Sequence, residues 1–357
     1  MTRRKNTVDI DKRLHWRPCM STRIKPTDNR ISWHGVVSLE VTPEYVHPWR
    51  IPFPDSVLFE ENLRERSGNP AGVRVAFRSD TSTLGGAIWA SEESALFDLT
   101  VDDELIATID VQDAEPFRFD ALPPGEKLIE LWFPPFPHVG LRHLEIDDGA
   151  TLEPFENNRP KWITYGSSIT HCRTAESPVY TWPAVVARKA GFNHTNLGYG
   201  GQCHLDALIA TTMRDLPSDY VSMCVGINIM GAGSLNRRTF RTGIIGFVRI
   251  VRERHPETPF IIMSPIYNPP RESTPNAVGM TLEIMREDVE SAVVALRDHG
   301  DENVFYVNGL DIMGPDEIHL LPDQLHPGPE GYKVMGERFY ERAVKPIFLD
   351  GRRAHRT

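Results

Sequence analysis

Cysteine is scarce in this sequence of 357 residues, and it contains no long apolar run. The four cysteines, Cys19, Cys172, Cys203 and Cys224, form no C-x-x-C pair and have no regular spacing, which argues against a disulfide scaffold and a zinc ribbon. No apolar run reaches the roughly 18 residues that a helix needs to cross a bilayer. We therefore expect neither a metal site nor a membrane span.

Basic residues are fewer than acidic ones. The chain carries 39 Lys and Arg against 49 Asp and Glu, a formal net charge of -10, and no segment is basic enough for a nucleic-acid footprint. The basic start MTRRKNTVDIDKR is not followed by an apolar stretch, so no secretory signal is visible. We expect a soluble, cytoplasmic protein without nucleic-acid or membrane partners, and its oligomeric state stays open, a homo-oligomer included.

The first half of the chain has a β-rich pattern. Short apolar runs, of which Ile31–Trp33 running into Val36–Val41 is one and Val73–Phe77 another, are separated by turn residues without a convincing helical period between them. This pattern predicts a β-sandwich or jelly-roll domain over residues 1–155. Five of the seven tryptophans lie in this half, where packing is favoured over sugar stacking: Trp16, Trp33, Trp49, Trp89 and Trp132.

Strands and helices alternate after a turn-rich segment at residues 152–160. Five predicted strands are each followed by a helical pattern, as Trp162–Tyr165 is by Trp182–Ala190. The alternation predicts a flavodoxin-like, three-layer α/β/α domain with a five-stranded parallel sheet over residues 156–357. Ligands bind outside the carboxyl ends of the strands in such sheets, so we looked for chemistry there.

Candidate catalytic residues follow the first and the last of these strands. Ser168 stands in Gly166-Ser167-Ser168-Ile169-Thr170 and is the better nucleophile candidate, although Thr170 replaces the second glycine of a G-x-S-x-G elbow. Asp323 and His326 are three positions apart in one predicted turn, so one carboxylate can orient the imidazole that would activate a serine. Each signal alone is weak, because polar turns are common.

Two further strand ends supply candidate hydrogen-bond donors. Gly201 follows the second strand and offers an unobstructed backbone N–H, while Asn228 follows the third strand and offers a side-chain amide. Acyl transfer places negative charge on the carbonyl oxygen, which preorganised donors stabilise. Since ligands bind at the carboxyl ends of such strands, the serine, the glycine, the asparagine and the Asp–His pair at four strand ends predict one catalytic site.

These four blocks resemble those of the SGNH hydrolases, also called GDSL esterases and lipases, in order and spacing from Lys161 to Ile347. The resemblance implies a Ser168–His326–Asp323 triad that needs no metal or organic cofactor. It also implies an oxyanion hole made of the Ser168 and Gly201 N–H groups and the Asn228 amide. The preceding sandwich resembles, in architecture, the second family of carbohydrate esterases.

Two positions depart from the family pattern. Ser167 stands where the first block usually has aspartate, and Ile229 replaces the aspartate that usually follows the asparagine, which weakens the local polar support expected for Asn228. Candidates for lining the substrate pocket are Ser167, His171, Ile229 and Tyr267.

Other polar residues leave alternatives open. The pairs His171-Cys172 and Cys203-His204 have no metal-ligand spacing, so buried thiols and pocket lining are favoured over a metal site. His319, with Asp316 three positions before it, is a rival base for His326. The loop from residue 267 to 279 is equally consistent with a lid and with a simple connection.

The expected function is hydrolysis of a small-acyl ester, with acetyl among the candidates, of a carbohydrate or other small metabolite through an acyl-enzyme. A lipase or thioesterase would use the same chemistry on other substrates. An acyltransferase would let an acceptor alcohol outcompete water. The alternative from another class is an inactive relative that binds carbohydrate.

Overall fold

The first half of the chain folds into two antiparallel sheets, as the sequence predicts. The structure, a computed structural model, describes residues 21–92 and 94–351, so the predictions for Trp16 and Cys19 lie outside the described residues. The strands are β1 Ser21–Ile24, β2 Ser32–His34, β3 Ser38–Val41, β4 Val46–Trp49, β5 Arg74–Ser79, β6 Leu84–Ala90, β7 Ser94–Val101, β8 Glu104–Gln112, β9 Pro116–Phe119, β10 Lys127–Trp132, β11 Val139–Asp147 and β12 Glu153–Pro154.

Each sheet of this sandwich has six strands. One has the order β3-β4-β11-β6-β9, with β1 also paired to β11, and the other has the order β12-β5-β10-β7-β8, with β2 also paired to β5. Apolar side chains of the two sheets, among them Phe77, Ile88, Phe97 and Leu141, are fully buried in one cluster. This cluster is the core that the strand periodicity predicts.

Two details of this half differ from the prediction. Ile31–Trp33 and Val36–Val41 do not form one run, because β2 and β3 belong to different sheets. The chain changes sheet at Gly35, whose φ of +71° and close approach to the Gly72 carbonyl exclude a side chain. A short helix, α1 (Glu61–Ser67), was also not predicted, since its seven residues are too few to show a helical period.

The second half contains one five-stranded parallel sheet. Its order is β14-β13-β15-β16-β17, the second strand lying outside the first as in flavodoxin-like folds. The strands are β13 Lys161–Gly166, β14 Asn193–Gly198, β15 Tyr220–Cys224, β16 Phe260–Met263 and β17 Val304–Val307. The helices are α2 Ser168–His171, α3 Trp182–Ala190, α4 Ala207–Asp215, α5 Ile227–Ala232, α6 Arg237–Arg252, α7 Leu282–Asp298, α8 Gly309–Ile312 and α9 Pro329–Phe339, which continues as a π-helical segment Tyr340–Asp350.

Helix and strand boundaries in this half follow local signals closely. α3 ends at Gly191, which takes the left-handed conformation with φ +68°. α6 begins at Arg237, because Asn236 and Thr239 form a reciprocal capping box. The short α5 after β15 was not predicted, and it carries Asn228.

Tryptophans of the sandwich pack against other side chains. Trp33 lies 5.4 Å from Phe133 between ring centroids, and Trp89 stacks on Tyr45 at 4.8 Å. Trp132 is almost fully buried and contacts His194 of β14. These contacts agree with the packing interpretation rather than with a row of sugar platforms.

Buried polar contacts join the sandwich to the parallel-sheet half. Asp98 of β7 accepts hydrogen bonds from the Ser177 hydroxyl at 2.6 Å and the Val179 N–H at 2.8 Å. Arg74 of β5 forms a buried ion pair with Glu130 at 3.2 Å and donates to Asn193 Oδ1 at 2.7 Å. Separation of the halves would take the Ser177 and Val179 donors from Asp98 and the Asn193 acceptor from Arg74, so the interface is specific as well as buried.

Candidate active site

Ser168, His326 and Asp323 meet at the carboxyl end of the parallel sheet. The Ser168 hydroxyl lies 2.8 Å from His326 Nε2, and His326 Nδ1 lies 2.7 Å from Asp323 Oδ2. The carboxylate accepts a hydrogen bond from Nδ1–H, which leaves Nε2 free to accept one from the serine hydroxyl. His326 is about one third exposed, so a substrate can reach this pair.

The turn from Asp323 to His326 is built to hold the imidazole. Gln324 takes a left-handed conformation with φ +61°, and Asp323 Oδ1 accepts the N–H groups of Leu325 at 3.0 Å and His326 at 2.7 Å. Burial raises the pKa of the Asp323 carboxyl, but hydrogen bonds from the His326 ring and from these N–H groups outweigh it and hold the pKa below its usual value. The Asp323 carboxyl is therefore ionised at neutral pH.

Ser168 begins α2 directly after β13. Ser167 caps this helix, with its hydroxyl accepting the Ile169 N–H at 3.2 Å. The buried indole of Trp182 donates to the Ile169 carbonyl at 3.0 Å. These contacts fix the turn that presents the Ser168 side chain, which is partly exposed.

The loop after β14, which contains Gly200 and Gly201 and is called the glycine loop below, lies beside Ser168. A Cβ placed on Gly200 would be 3.8 Å from Ser168 Cβ, and the Gly200 N–H donates to His171 Nδ1 at 3.2 Å. Gly201 follows with φ +78°, a conformation that favours glycine. His171 therefore orients the loop that contains the predicted oxyanion donor.

Asn228 is held by the glycine loop and not by its sequence neighbour. The Cys203 N–H donates to Asn228 Oδ1 at 3.0 Å, so the amide oxygen is occupied and the NH2 group remains as the donor. Gly226, with φ +125° and its Cβ position 2.6 Å from Pro265, lets the chain enter α5 here. An aspartate at position 229 was expected to support the Asn228 amide. Here the Cys203 N–H gives that support instead.

A cavity of about 220 Å³ opens over the Ser168–His326 pair. Two of its walls come from the sandwich half, which sequence reasoning did not foresee: Arg66 at the end of α1 and Phe136 in the loop before β11. Both lie outside any motif and any regular period, so no sequence signal marked them. The lining consists of Arg66, Phe136, Ser168, His171, Arg173, Thr174, Gly200, His326 and Tyr332.

Of the four predicted pocket residues, one lines the cavity and three do not. His171 lines the cavity, fully buried, with its Nε2–H directed at the Pro135 carbonyl at 2.8 Å. Burial, together with the charges of Arg50, Arg66 and Arg173, lowers the pKa of His171 well below its usual value, so the ring is neutral. The others lie outside the lining: Ser167 is a helix cap, Ile229 is fully buried in the apolar core, and Tyr267 lies in the loop after β16.

The rival base and the metal alternative find no support among residues 21–92 and 94–351. His319 is exposed, and its Nδ1 lies 3.0 Å from the Asp316 carbonyl oxygen rather than near Ser168. Cys172, Cys203 and Cys224 are buried free thiols, and no group of three potential ligands converges in the described part of the chain.

The loop after β16 supports the turn from Asp323 to His326 through hydrogen bonds. Asn268 donates to the Gln324 carbonyl, and its own N–H donates to Glu272 at 2.9 Å. Glu272 is bound in turn by both terminal nitrogens of Arg286 at 2.7 Å. These contacts favour a fixed support over the lid that the sequence left open.

Both halves of the chain match known protein families. Residues 160–344 match the model of the GDSL-like lipase/acylhydrolase family, and residues 31–142 match the SsfX3 N-terminal domain. A search of curated proteins finds no match. Among the described residues, no helix is long and apolar enough to cross a membrane.

Solved structures extend the likeness over nearly the whole chain. A salicylyl-acyltransferase, SsfX3, from a tetracycline biosynthetic pathway is 33% identical with a TM-score of 0.86, covering 92% of this chain and 98% of its own. A family two carbohydrate esterase from Cellvibrio japonicus is 15% identical with a TM-score of 0.64 over the same shares. An acetyl xylan esterase from Butyrivibrio proteoclasticus, 12% identical with a TM-score of 0.60 over those shares, has the same fold. The chain belongs to the GDSL-like lipase/acylhydrolase family and is an enzyme of that family.

Proposed function

We propose that this enzyme cleaves a small-acyl ester through an acyl-enzyme formed on Ser168. The observation that carries the proposal is the chain of two contacts, Ser168 Oγ to His326 Nε2 at 2.8 Å and His326 Nδ1 to Asp323 Oδ2 at 2.7 Å. A serine hydroxyl is a weak nucleophile until a base accepts its proton, and this geometry supplies such a base.

The proposed mechanism has two steps. His326 takes the Ser168 proton as the serine oxygen attacks the ester carbonyl, and then gives that proton to the leaving alcohol. Asp323 holds the ring and stabilises the imidazolium, while the N–H groups of Ser168 and Gly201 and the Asn228 amide bind the oxyanion. Water activated by His326 then attacks the acyl-enzyme and releases the acid.

The size of the cavity favours a short acyl group. Its volume of about 220 Å³ is below the roughly 300–1,000 Å³ of most ligand pockets. The side chains of Phe136, His171 and Tyr332 occupy its walls, where a long alkyl chain would need space. Acetyl and similarly small acyl groups on a carbohydrate or other small metabolite are therefore our preferred substrates.

Acyl transfer is a second candidate because of one comparison. The salicylyl-acyltransferase resembles this chain through both halves, at 33% identity and with 98% of its own length covered. An acyltransferase would use the same acyl-enzyme, and an acceptor alcohol would replace water in the second step. The two activities differ only in which nucleophile reaches the acylated Ser168.

A series of 4-nitrophenyl esters tests the proposal, with acyl chains from acetate to decanoate and with benzoate as an aromatic member. We expect kcat/KM to be highest for the short acyl groups and to fall by about tenfold or more at decanoate, and Ser168→Ala to abolish turnover. A preference for decanoate would contradict the small-acyl assignment. Adding alcohol acceptors and measuring the ratio of new ester to free acid separates transfer from hydrolysis.

A further inference from the structure

Two arginines from different halves of the molecule flank the same ring at the cavity. The guanidinium carbons of Arg173 and Arg66 lie 4.6 Å and 5.6 Å from the centroid of the Phe136 ring. Both arginines line the cavity, and none of its lining residues is acidic. A guanidinium over an aromatic face keeps its charge and its outward N–H donors.

The charge of Arg173 is not neutralised by the protein. Arg173 is exposed and has no ion pair among residues 21–92 and 94–351. Arg66 contacts Glu65 at 2.9 Å, but the glutamate side chain is 52% exposed, so water screens this pair. Arg173 thus places a cation without an ion pair in the same cavity as Ser168, in a chain with a formal net charge of -10.

The segment that carries Arg173 is hydrogen-bonded to the turn that carries His326. Its neighbour Thr174 donates to the Pro327 carbonyl at 3.0 Å, and Pro327 directly follows His326. In the proposed mechanism His326 protonates the leaving oxygen, so the alcohol part of the ester must lie next to this imidazole. The guanidinium of Arg173 is therefore placed near the alcohol part of a bound ester.

We propose that the alcohol part of the substrate carries an anionic group, a carboxylate or a phosphate, which Arg173 binds with help from Arg66. This inference rests on the proposed function, since it names the substrate class of the same site. A planar guanidinium can offer two parallel N–H donors to either kind of anion. Binding there would hold the ester carbonyl between Ser168 and the oxyanion donors.

The test compares an anionic aryl acetate with its uncharged methyl ester. We would measure kcat/KM for 4-acetoxybenzoate and its neutral methyl ester, with 4-acetoxyphenyl phosphate as the phosphate arm. We expect the ratio of charged to neutral ester to fall by about tenfold or more in Arg173→Gln, and by a smaller factor in Arg66→Gln. Arg173→Lys should recover part of the ratio because it restores the charge, which a purely packing role would not produce.

Arg64→Gln is the matched control, because Arg64 lies in α1 but outside the lining of the cavity, and its ratio should equal that of the wild type. An unchanged ratio in Arg173→Gln, with the neutral ester still cleaved at Ser168, would overturn the anionic-substrate inference alone. Cleavage of the neutral ester by Ser168→Ala at the wild-type rate would instead overturn the proposed function.

Discussion

The two halves of this enzyme contribute to the site in different ways. The parallel-sheet half contributes Ser168 and His326 to the lining of the cavity, whereas the sandwich half contributes Arg66 and Phe136 as walls of the same cavity. We propose that the first set makes and breaks bonds and that the second set selects what enters.

Arg50 shows how the sandwich half also supports the chemistry. This buried residue donates from Nη1 to the carbonyls of Asn196 at 3.0 Å and Gly198 at 2.5 Å, just before the glycine loop. Its Nη2 donates to the Arg66 carbonyl at 2.7 Å. Burial lowers the pKa of Arg50 to about 10, so the guanidinium still carries its charge at neutral pH. A single side chain thus ties the sandwich to the strand that precedes Gly201.

The largest effect is expected from the proposed base in the parallel-sheet half. His326→Ala removes the group that we propose accepts the Ser168 proton, and we expect kcat on a 4-nitrophenyl ester of short acyl chain to fall by about a thousandfold or more. Steady-state kinetics with circular dichroism to confirm folding would measure it.

Two other variants calibrate that result. Asp323→Ala should cost less than His326→Ala, because water or a backbone carbonyl can partly orient the ring. His319→Ala is the matched control, since His319 is exposed and hydrogen-bonded within its own turn, and its kcat should equal that of the wild type. Near-normal turnover by His326→Ala would move the role of base to another residue.

A smaller effect on turnover, joined to a loss of stability, is expected from the sandwich side. Arg50→Met leaves buried carbonyls on both halves without a donor, and we expect the free energy of unfolding to fall by about 3–5 kcal/mol. Because Arg50 holds the end of the strand that leads into the glycine loop, kcat should also fall, with less change in KM. Chemical denaturation and steady-state kinetics on the same preparations would measure both.

Arg118→Met serves as the control for Arg50→Met. Arg118 is in β9 of the same sandwich, 40% exposed and, within the described part of the chain, paired only with Asp120, so its loss should change the free energy of unfolding by less than about 0.5 kcal/mol. If Arg50→Met lost stability but kept the wild-type kcat, Arg50 would be a structural tie without influence on the oxyanion donors.

The sequence predicts the parallel-sheet half better than the sandwich half for a physical reason. Strand ends of a parallel sheet converge on one edge, so Ser168 and His326 could be assigned to one place from their positions relative to predicted strands. Contacts such as Cys203 N–H to Asn228 or Gly200 N–H to His171 depend on backbone positions in distant loops. No periodicity encodes them.

The sandwich residues at the site illustrate the same limit more strongly. Phe136 lies in a loop between antiparallel strands, and it reaches the cavity only because the two halves pack together. Arg50 resembles any polar residue in the sequence, yet it is fully buried. Such roles arise from tertiary packing, which overrides the usual exposure of arginine. The domain boundary predicted near residue 155 remains a prediction, although β12 ends at Pro154 and β13 begins at Lys161.

Covalent labelling of the serine tests the central claim most directly. A fluorophosphonate probe reacts only with a hydroxyl that a neighbouring base activates, and peptide mass spectrometry locates the modified residue. We predict stoichiometric labelling of the wild type at Ser168, and none in Ser168→Ala. An unlabelled wild-type enzyme, or a probe found on a different side chain, would contradict the assignment of Ser168 as the nucleophile.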